Sequence, residues 1–223
     1  WIWIWWGENH GELPEVPYFD SIPATYPYAT FQDHWKTHYS RAIENQLDAI
    51  HLPFVHYNTI GRGDRRIADG PIIEWCCSEE EPYRMDLWVN SRIDDGIPPR
   101  KASETVKKRP EPSLQFIFPN IWQNWISSKI RLVVAFVPVD EENTIMYIRW
   151  FQDVVRFPIV RQIVNWGGML SSLMIERQDR RVVITQRPMR SRLRGGEKLI
   201  QGDGPIIDYR RRRQTLLEKA GQE

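Results

Sequence analysis

The chain has only two cysteines in 223 residues, and they are adjacent, at Cys76 and Cys77. Neighbours in a strand point to opposite faces, so the two thiols are expected neither to bond to each other nor to staple distant segments. The chain therefore reads as a reduced, cytoplasmic protein. Long apolar runs are missing too: none reaches the ~18–20 residues of a membrane span, and no signal peptide is visible. Neither sign of charge dominates, with 30 Lys+Arg against 29 Asp+Glu and a formal charge of +1. That balance argues against a nucleic-acid partner, because phosphate binding needs a basic surplus. Histidine is equally sparse: there are five, all at or before position 56.

Tryptophan and proline are plentiful, at 11 and 16 residues. Bulky apolar surface joined by fixed turns suits a sheet enclosing a ligand cavity better than a helix bundle. With 41% hydrophobic and 26% charged residues the chain has the balance of one ordinary globular domain. It opens on Trp1 with the alternation WIWIWW, which reads as a strand over 1–6 whose upstream part is missing. Residues 7–30 form a Pro/Gly-rich connector.

Ser40 is expected to cap a helix over about 41–52, with Glu44 near its first turn, where the helix dipole favours an acid. Pro53 should end that helix by forcing Leu52 out of the α region. Segments 71–77, 83–93, 114–119, 128–137 and 143–155 are rich in β-branched and aromatic residues and read as successive antiparallel strands. The stretch 94–112 reads as an exposed loop. After Pro158 the apolar residues Ile159, Ile163, Trp166, Leu170 and Leu173 recur at helical spacing, so one or two helices cover 158–177, and 178–187 leans to helix. A terminal helix spans 205–220 and carries Arg210–Arg213 as a solvated face. A helix, a meander of strands and then helices is an α+β arrangement with an antiparallel sheet.

The informative segment is Glu44-Asn45-Gln46-Leu47-Asp48-Ala49-Ile50-His51-Leu52-Pro53-Phe54-Val55-His56. On one helix Asn45, Asp48 and His51, spaced by three, share about a third of the circumference. The break at Pro53 lets His56 reach the same point from another direction. Two imidazoles so placed suit adjacent positions on one metal, and a carboxylate from elsewhere would complete a two-His-one-carboxylate face on ferrous iron. Asp48 could accept the free ring N–H of His51 and fix its tautomer. Other groupings are weaker. His34 and His38 in HWKTH could bind zinc from a helix but lack a third ligand, and an exposed pair is the simpler reading. Phe116, Phe118, Trp122 and Trp125 could line a pocket or simply pack the core.

The spacing Asn45-x2-Asp48-x2-His51-x4-His56 resembles the mononuclear-iron motif of Rieske non-heme iron oxygenases, the oxygenase alpha subunits of aromatic-ring-hydroxylating dioxygenases and O-demethylases. WIWIWWGE looks like the strand through which that family's Rieske domain leads into its catalytic domain. Gln178-Asp179-Arg180-Arg181-Val182-Val183-Ile184-Thr185-Gln186 resembles the segment supplying the iron carboxylate, and Asp203 to Arg211 resembles the tail helix. The resemblance implies a helix-grip (START-related) fold, with an antiparallel sheet wrapped around a long C-terminal helix. It implies 1–6 as the end of a Rieske domain or linking strand, and 7–223 as the catalytic domain. By the same resemblance, His51, His56 and Asp179 hold a mononuclear Fe(II), Asp48 links the iron histidine to a Rieske cluster in a neighbouring subunit, and Asn45 lies near the iron. The expected reaction is O2-dependent hydroxylation or oxidative demethylation of a small apolar, aromatic substrate. A reductase or ferredoxin would supply electrons to a homotrimer.

The departure from the family lies in the [2Fe-2S] Rieske cluster, which needs Cys-x-His and Cys-x2-His. Cys76-Cys77 have no histidine nearby, so the cluster is expected in a domain outside this chain. The rival readings are a helix-grip module that binds a hydrophobic ligand without catalysis, and a ferrous oxygenase that uses an organic co-substrate.

Overall fold

The computed structural model describes residues 1–4, 11, 16–61, 63, 65–78 and 83–221. Residues 1–4 are irregular rather than extended in a sheet, so the strand expected over 1–6 is not formed there; residues 5 and 6 lie outside the described residues. The first strand, β1, is Tyr28–Trp35, followed by α1 Tyr39–Leu47 and a single-turn α2 Leu52–Val55. Six further strands form a meander: β2 Arg66–Cys76, β3 Arg84–Ile93, β4 Leu114–Ile117, β5 Ile121–Ser127, β6 Ile130–Pro138 and β7 Thr144–Gln152. Helices α3 Pro158–Val183 and α4 Gly204–Lys219 complete the chain. All seven strands pair antiparallel in the order β1-β7-β6-β5-β4-β3-β2. With the helices gathered on one face, this is a helix-grip-like α+β fold, as expected. No helix among the described residues is long and apolar enough to cross a membrane.

Strand β6 shows how the core is divided. Its run Leu-Val-Val-Ala-Phe is apolar at every position because both faces of this central strand are covered. Leu132, Val134 and Phe136 join the main core with Trp35, Ile43, Leu47 and Tyr209, under the helices. Val133 points the other way, into a smaller cluster closed by Phe19 and Ile22 of the segment before β1. Strand β5 escapes a sequence reading because Gln123 and Asn124 are poor strand formers on a solvated surface. Here Gln123 is buried in a cross-strand ladder, donating to Gln115 Oε1 at 2.6 Å while Gln115 donates to Asp86 at 2.8 Å.

Helix α3 is continuous through Val183, but its periodic apolar residues are not its buried face. Ile159, Ile163, Trp166 and Leu170 are exposed, whereas Asn165, Ser172, Glu176, Asp179 and Val183 are buried. A Cβ on Gly168 would come within 2.4 Å of the Trp150 ring, so this glycine lets the helix lie against β7. Gly167 faces open space.

Three local expectations need correction. The cap of α1 is His38, whose Nδ1 accepts from Ser40 N at 3.2 Å; Ser40 lies inside the first turn. The helix ends at Leu47, not 52, because Asp48 turns extended at ψ 104°. Its Oδ1 then accepts from Ile50 N at 2.7 Å and His51 N at 3.2 Å, starting α2. Pro53 sits in the first turn of α2, where its missing N–H costs nothing. Asn45 and His51 are therefore not on one helix arc. Lastly, the sulfurs of Cys76 and Cys77 are joined. Strand β2 ends at Cys76, and Cys77 adopts a left-handed φ of 82°, so strand alternation no longer separates the two side chains.

His38 is buried, unlike exposed His34, so the two are not a surface pair. Burial, aided by Arg213, Arg190 and Arg41 and opposed by Glu141, lowers its pKa to about 4 from the ordinary 6.5. The folded chain thus keeps His38 neutral where the unfolded chain takes up a proton. Stability should fall as pH drops from about 6.5 to about 4. Urea midpoints measured across that range should show the loss, and His38→Gln should flatten it.

Candidate metal centre

His51, between α1 and α2, and His56, at the end of α2, converge with Asp179 on the inner face of α3. The Nε2 atoms of the two histidines are 3.3 Å apart. Asp179 Oδ1 lies 3.4 Å from His51 Nε2 and 3.0 Å from His56 Nε2. Ligands in cis positions with bonds of about 2.1 Å sit about 3 Å apart, so these spacings match three corners of one face of a metal site. Among the described residues this is the one cluster of three or more His, Cys, Asp or Glu side chains with such geometry.

Hydrogen bonding behind the rings sets their tautomers. His51 Nδ1–H donates to the Asp48 carbonyl at 2.6 Å, and His56 Nδ1–H donates to Gln178 Oε1 at 2.8 Å. Both acceptors place the proton on Nδ1 and leave the Nε2 lone pair facing the partner ring and the carboxylate. Asp179 Oδ1 is buried with no hydrogen-bond partner assigned among the described residues, while its Oδ2 is 3.4 Å from the Gln46 amide donor. Two imidazole nitrogens and a carboxylate oxygen thus converge on one point, which is the donor set a divalent cation fits. Burial opposes charge on His51, yet Asp179 and then Asp48 hold its pKa above the ordinary histidine value. Against its own burial, Asp179 is held well below the usual carboxylate range by His51 and His56.

Asp48 stands at the outer end of His51, but its main-chain carbonyl rather than its carboxylate takes the ring N–H. The carboxylate lies 3.9 Å from Nδ1 and is partly exposed. Asn45 is buried, its amide nitrogen has no hydrogen-bond partner among the described residues, and it does not line the cavity beside the triad. One residue on, Gln46 does. Sequence reasoning missed Gln46 and the role of Gln178, whose oxygen also accepts from Thr59 Oγ1 at 3.0 Å. Nothing in local spacing marks a glutamine as the support of a histidine 122 positions away. Removing that support with Gln178→Leu should weaken ferrous-ion affinity about 10–100-fold with little change in fold, as read by metal titration and circular dichroism.

The triad opens on a cavity of about 450 Å³. Trp122, Trp125, Leu114, Leu132 and Ile126 supply an apolar wall. Of the four aromatics singled out as pocket candidates, Trp122 and Trp125 line this cavity, whereas Phe116 and Phe118 pack on Tyr209 in the core. Arg109 also borders the space, with its guanidinium donating to the Pro112 carbonyl at 3.2 Å.

A profile of the vanillate O-demethylase oxygenase C-terminal domain family matches residues 35–219. No curated protein matches the chain in sequence. Among solved structures it is similar to NdmA of Pseudomonas putida CBB5, with a TM-score of 0.64 and 15% identity over 93% of this chain and 56% of that one. Dicamba monooxygenase bound to dicamba gives a TM-score of 0.62 and 12% identity, covering 93% and 63%. The terminal oxygenase of carbazole 1,9a-dioxygenase from Nocardioides aromaticivorans IC177 gives 0.61 and 13%, covering 89% and 62%. At these identities the likeness is one of fold, and the chain spans less than two thirds of each of these structures.

Proposed function

The chain belongs to the vanillate O-demethylase oxygenase C-terminal domain family, the catalytic domain of Rieske-type oxygenases, and from that premise we propose that His51, His56 and Asp179 hold a mononuclear Fe(II) for O2-dependent oxidation of a small apolar, aromatic substrate. The oxidation is a hydroxylation or an oxidative demethylation. The observation that carries this reading is the convergence of two imidazole Nε2 atoms and one carboxylate oxygen, 3.0–3.4 Å apart, at the side of an apolar cavity. A carrier of hydrophobic ligands has no use for such a cluster, because burying three titratable groups costs stability.

When bound, ferrous iron supplies the one-electron chemistry with dioxygen that no side chain of the cavity can perform. The protein's own residues fix the geometry. Asp48 carbonyl and Gln178 hold the two rings, Gln46 steadies the carboxylate, and the Trp122–Leu132 wall seats an aromatic ring and excludes water. Electrons come in this reading from a [2Fe-2S] Rieske cluster held outside the chain, in a neighbouring subunit of a homotrimer, entering by Asp48 and His51. A reductase or ferredoxin recharges that cluster. Residues 7–223 are then the catalytic domain, and 1–6 lead into it.

Hydrogen peroxide can replace both dioxygen and the electron donor, since ArOCH3 + H2O2 gives ArOH + HCHO + H2O. Iron-loaded chain given peroxide and a series of methoxyarenes should release formaldehyde, and Asp179→Ala should not. Equal release from the two proteins would contradict the reading.

A further inference from the structure

Ser172, Glu176 and Asp179 follow one another at helical spacing on the buried face of α3, and all three line the cavity. Asp179 belongs to the metal triad, but Glu176 has no such task. Its residue exposure is 2%, and its Oε2 is buried with no hydrogen-bond partner among the described residues. A second polar atom without a partner among the described residues belongs to a residue lining the same cavity: Trp122, in the apolar wall, has its indole N–H buried without an acceptor there. Buried polar atoms left unpaired lower stability, so unpaired atoms of this kind in a ligand-sized cavity point to a ligand that carries a polar group.

We propose that Glu176 selects the substrate, its carboxyl hydrogen-bonding a neutral hydroxyl carried on an aromatic ring that lies against Trp122. A hydroxyl satisfies the carboxyl in either ionisation state, donating to a carboxylate or exchanging donor and acceptor with the acid. Burial, then the carboxylates of Asp179 and Asp33, push the acid of Glu176 well above the usual carboxylate range, which agrees with a neutral partner rather than an ammonium. The inference deepens the oxygenase reading by naming what its substrate carries, and it is tested by binding rather than turnover.

The probes are 4-methoxyphenol and 4-methylanisole, which differ by a hydroxyl against a methyl of similar size. Calorimetric titration of the 223-residue chain, with and without ferrous iron under anaerobic conditions, should show the phenol binding about tenfold tighter. Glu176→Gln, whose amide still donates and accepts, should keep the preference. Glu176→Leu should bind the two probes within about twofold, hold as much iron as the wild type, and melt about 3 °C higher because an unpaired polar group has gone. The proposal is overturned if the wild type binds neither probe or shows no preference, or if the preference survives in Glu176→Leu. Tighter binding of 4-methoxybenzylammonium than of the phenol also overturns it. Iron content of the same samples separates the two ideas. A wild-type chain that takes up no iron contradicts the oxygenase reading, whereas iron uptake without a preference for the phenol contradicts the role of Glu176 alone.

Discussion

Replacing Glu44 by Ala should cost about 3–5 kcal/mol of stability, a large part of the roughly 5–15 kcal/mol that holds a domain of this kind together. Glu44 is buried on α1 at the centre of two arginines and a second glutamate. Its Oε1 accepts from Arg210 Nε at 2.7 Å and from the Ser191 hydroxyl; its Oε2 accepts from Arg41 Nη1 at 2.9 Å and Arg210 Nη2 at 3.1 Å. Arg210 also reaches Glu197 at 2.6 Å, and Arg41 holds both Glu197 and the Pro188 carbonyl. Two positive and two negative groups thus tie α1, α4 and the segment between α3 and α4 into one balanced cluster. Removing Glu44 leaves two buried guanidiniums sharing one carboxylate, and the uncompensated charge sets the size of the loss. The double variant Glu44→Leu with Arg210→Met should be less destabilised than Glu44→Ala, since it removes one charge of each sign. Urea unfolding monitored by circular dichroism decides the matter. A loss below about 1 kcal/mol for Glu44→Ala would mean the cluster is screened like a surface pair.

Ferrous iron should raise the melting temperature of the wild-type chain by about 10 °C at a thousandfold excess over its dissociation constant. The ligands come from two regions far apart in sequence, the α1–α2 junction with α2 and the inner face of α3, so an ion bound by all three clips helix to helix and binds only the folded chain. The gain should shrink as pH falls below neutrality. His51, whose pKa is raised by Asp179, holds a proton more firmly at lower pH, and the metal must displace it. Asp179→Ala should abolish the thermal shift at every pH. A shift of full size in that variant would place the ion elsewhere.

The two features differ in how far they can be read from sequence. His51 and His56 stand out because both lie in one short stretch whose spacing repeats a known iron motif. Asp179 is one acid among 29 and is reached only through resemblance. Glu176, three residues before it, looks like any charged residue of a solvated helix, and only the placement of α3 over the sheet buries it. The same is true of Glu44 and Arg210, whose pairing joins residues 166 positions apart; a reading along the chain makes the first a dipole partner and the second part of an exposed basic run. Strands with plain apolar character were legible, while β1 and β5 were not: β1 begins inside the segment read as a connector and alternates exposed with half-buried residues, and the glutamine of β5 is buried in a polar ladder rather than in oil. The break between α1 and α2 was legible only in part. Pro53 marks a boundary, but the residue that ends α1 is Asp48, through an Asx turn whose signal is weaker than that of proline.

The most direct test of the metal centre is the iron content of the chain after anaerobic ferrous loading and removal of free metal, in the wild type, His51→Ala and Asp179→Ala. One iron per chain in the wild type and essentially none in either variant, all three remaining folded, is the predicted result. A folded wild type that holds no iron, or an Asp179→Ala chain that keeps it, would contradict the triad of His51, His56 and Asp179.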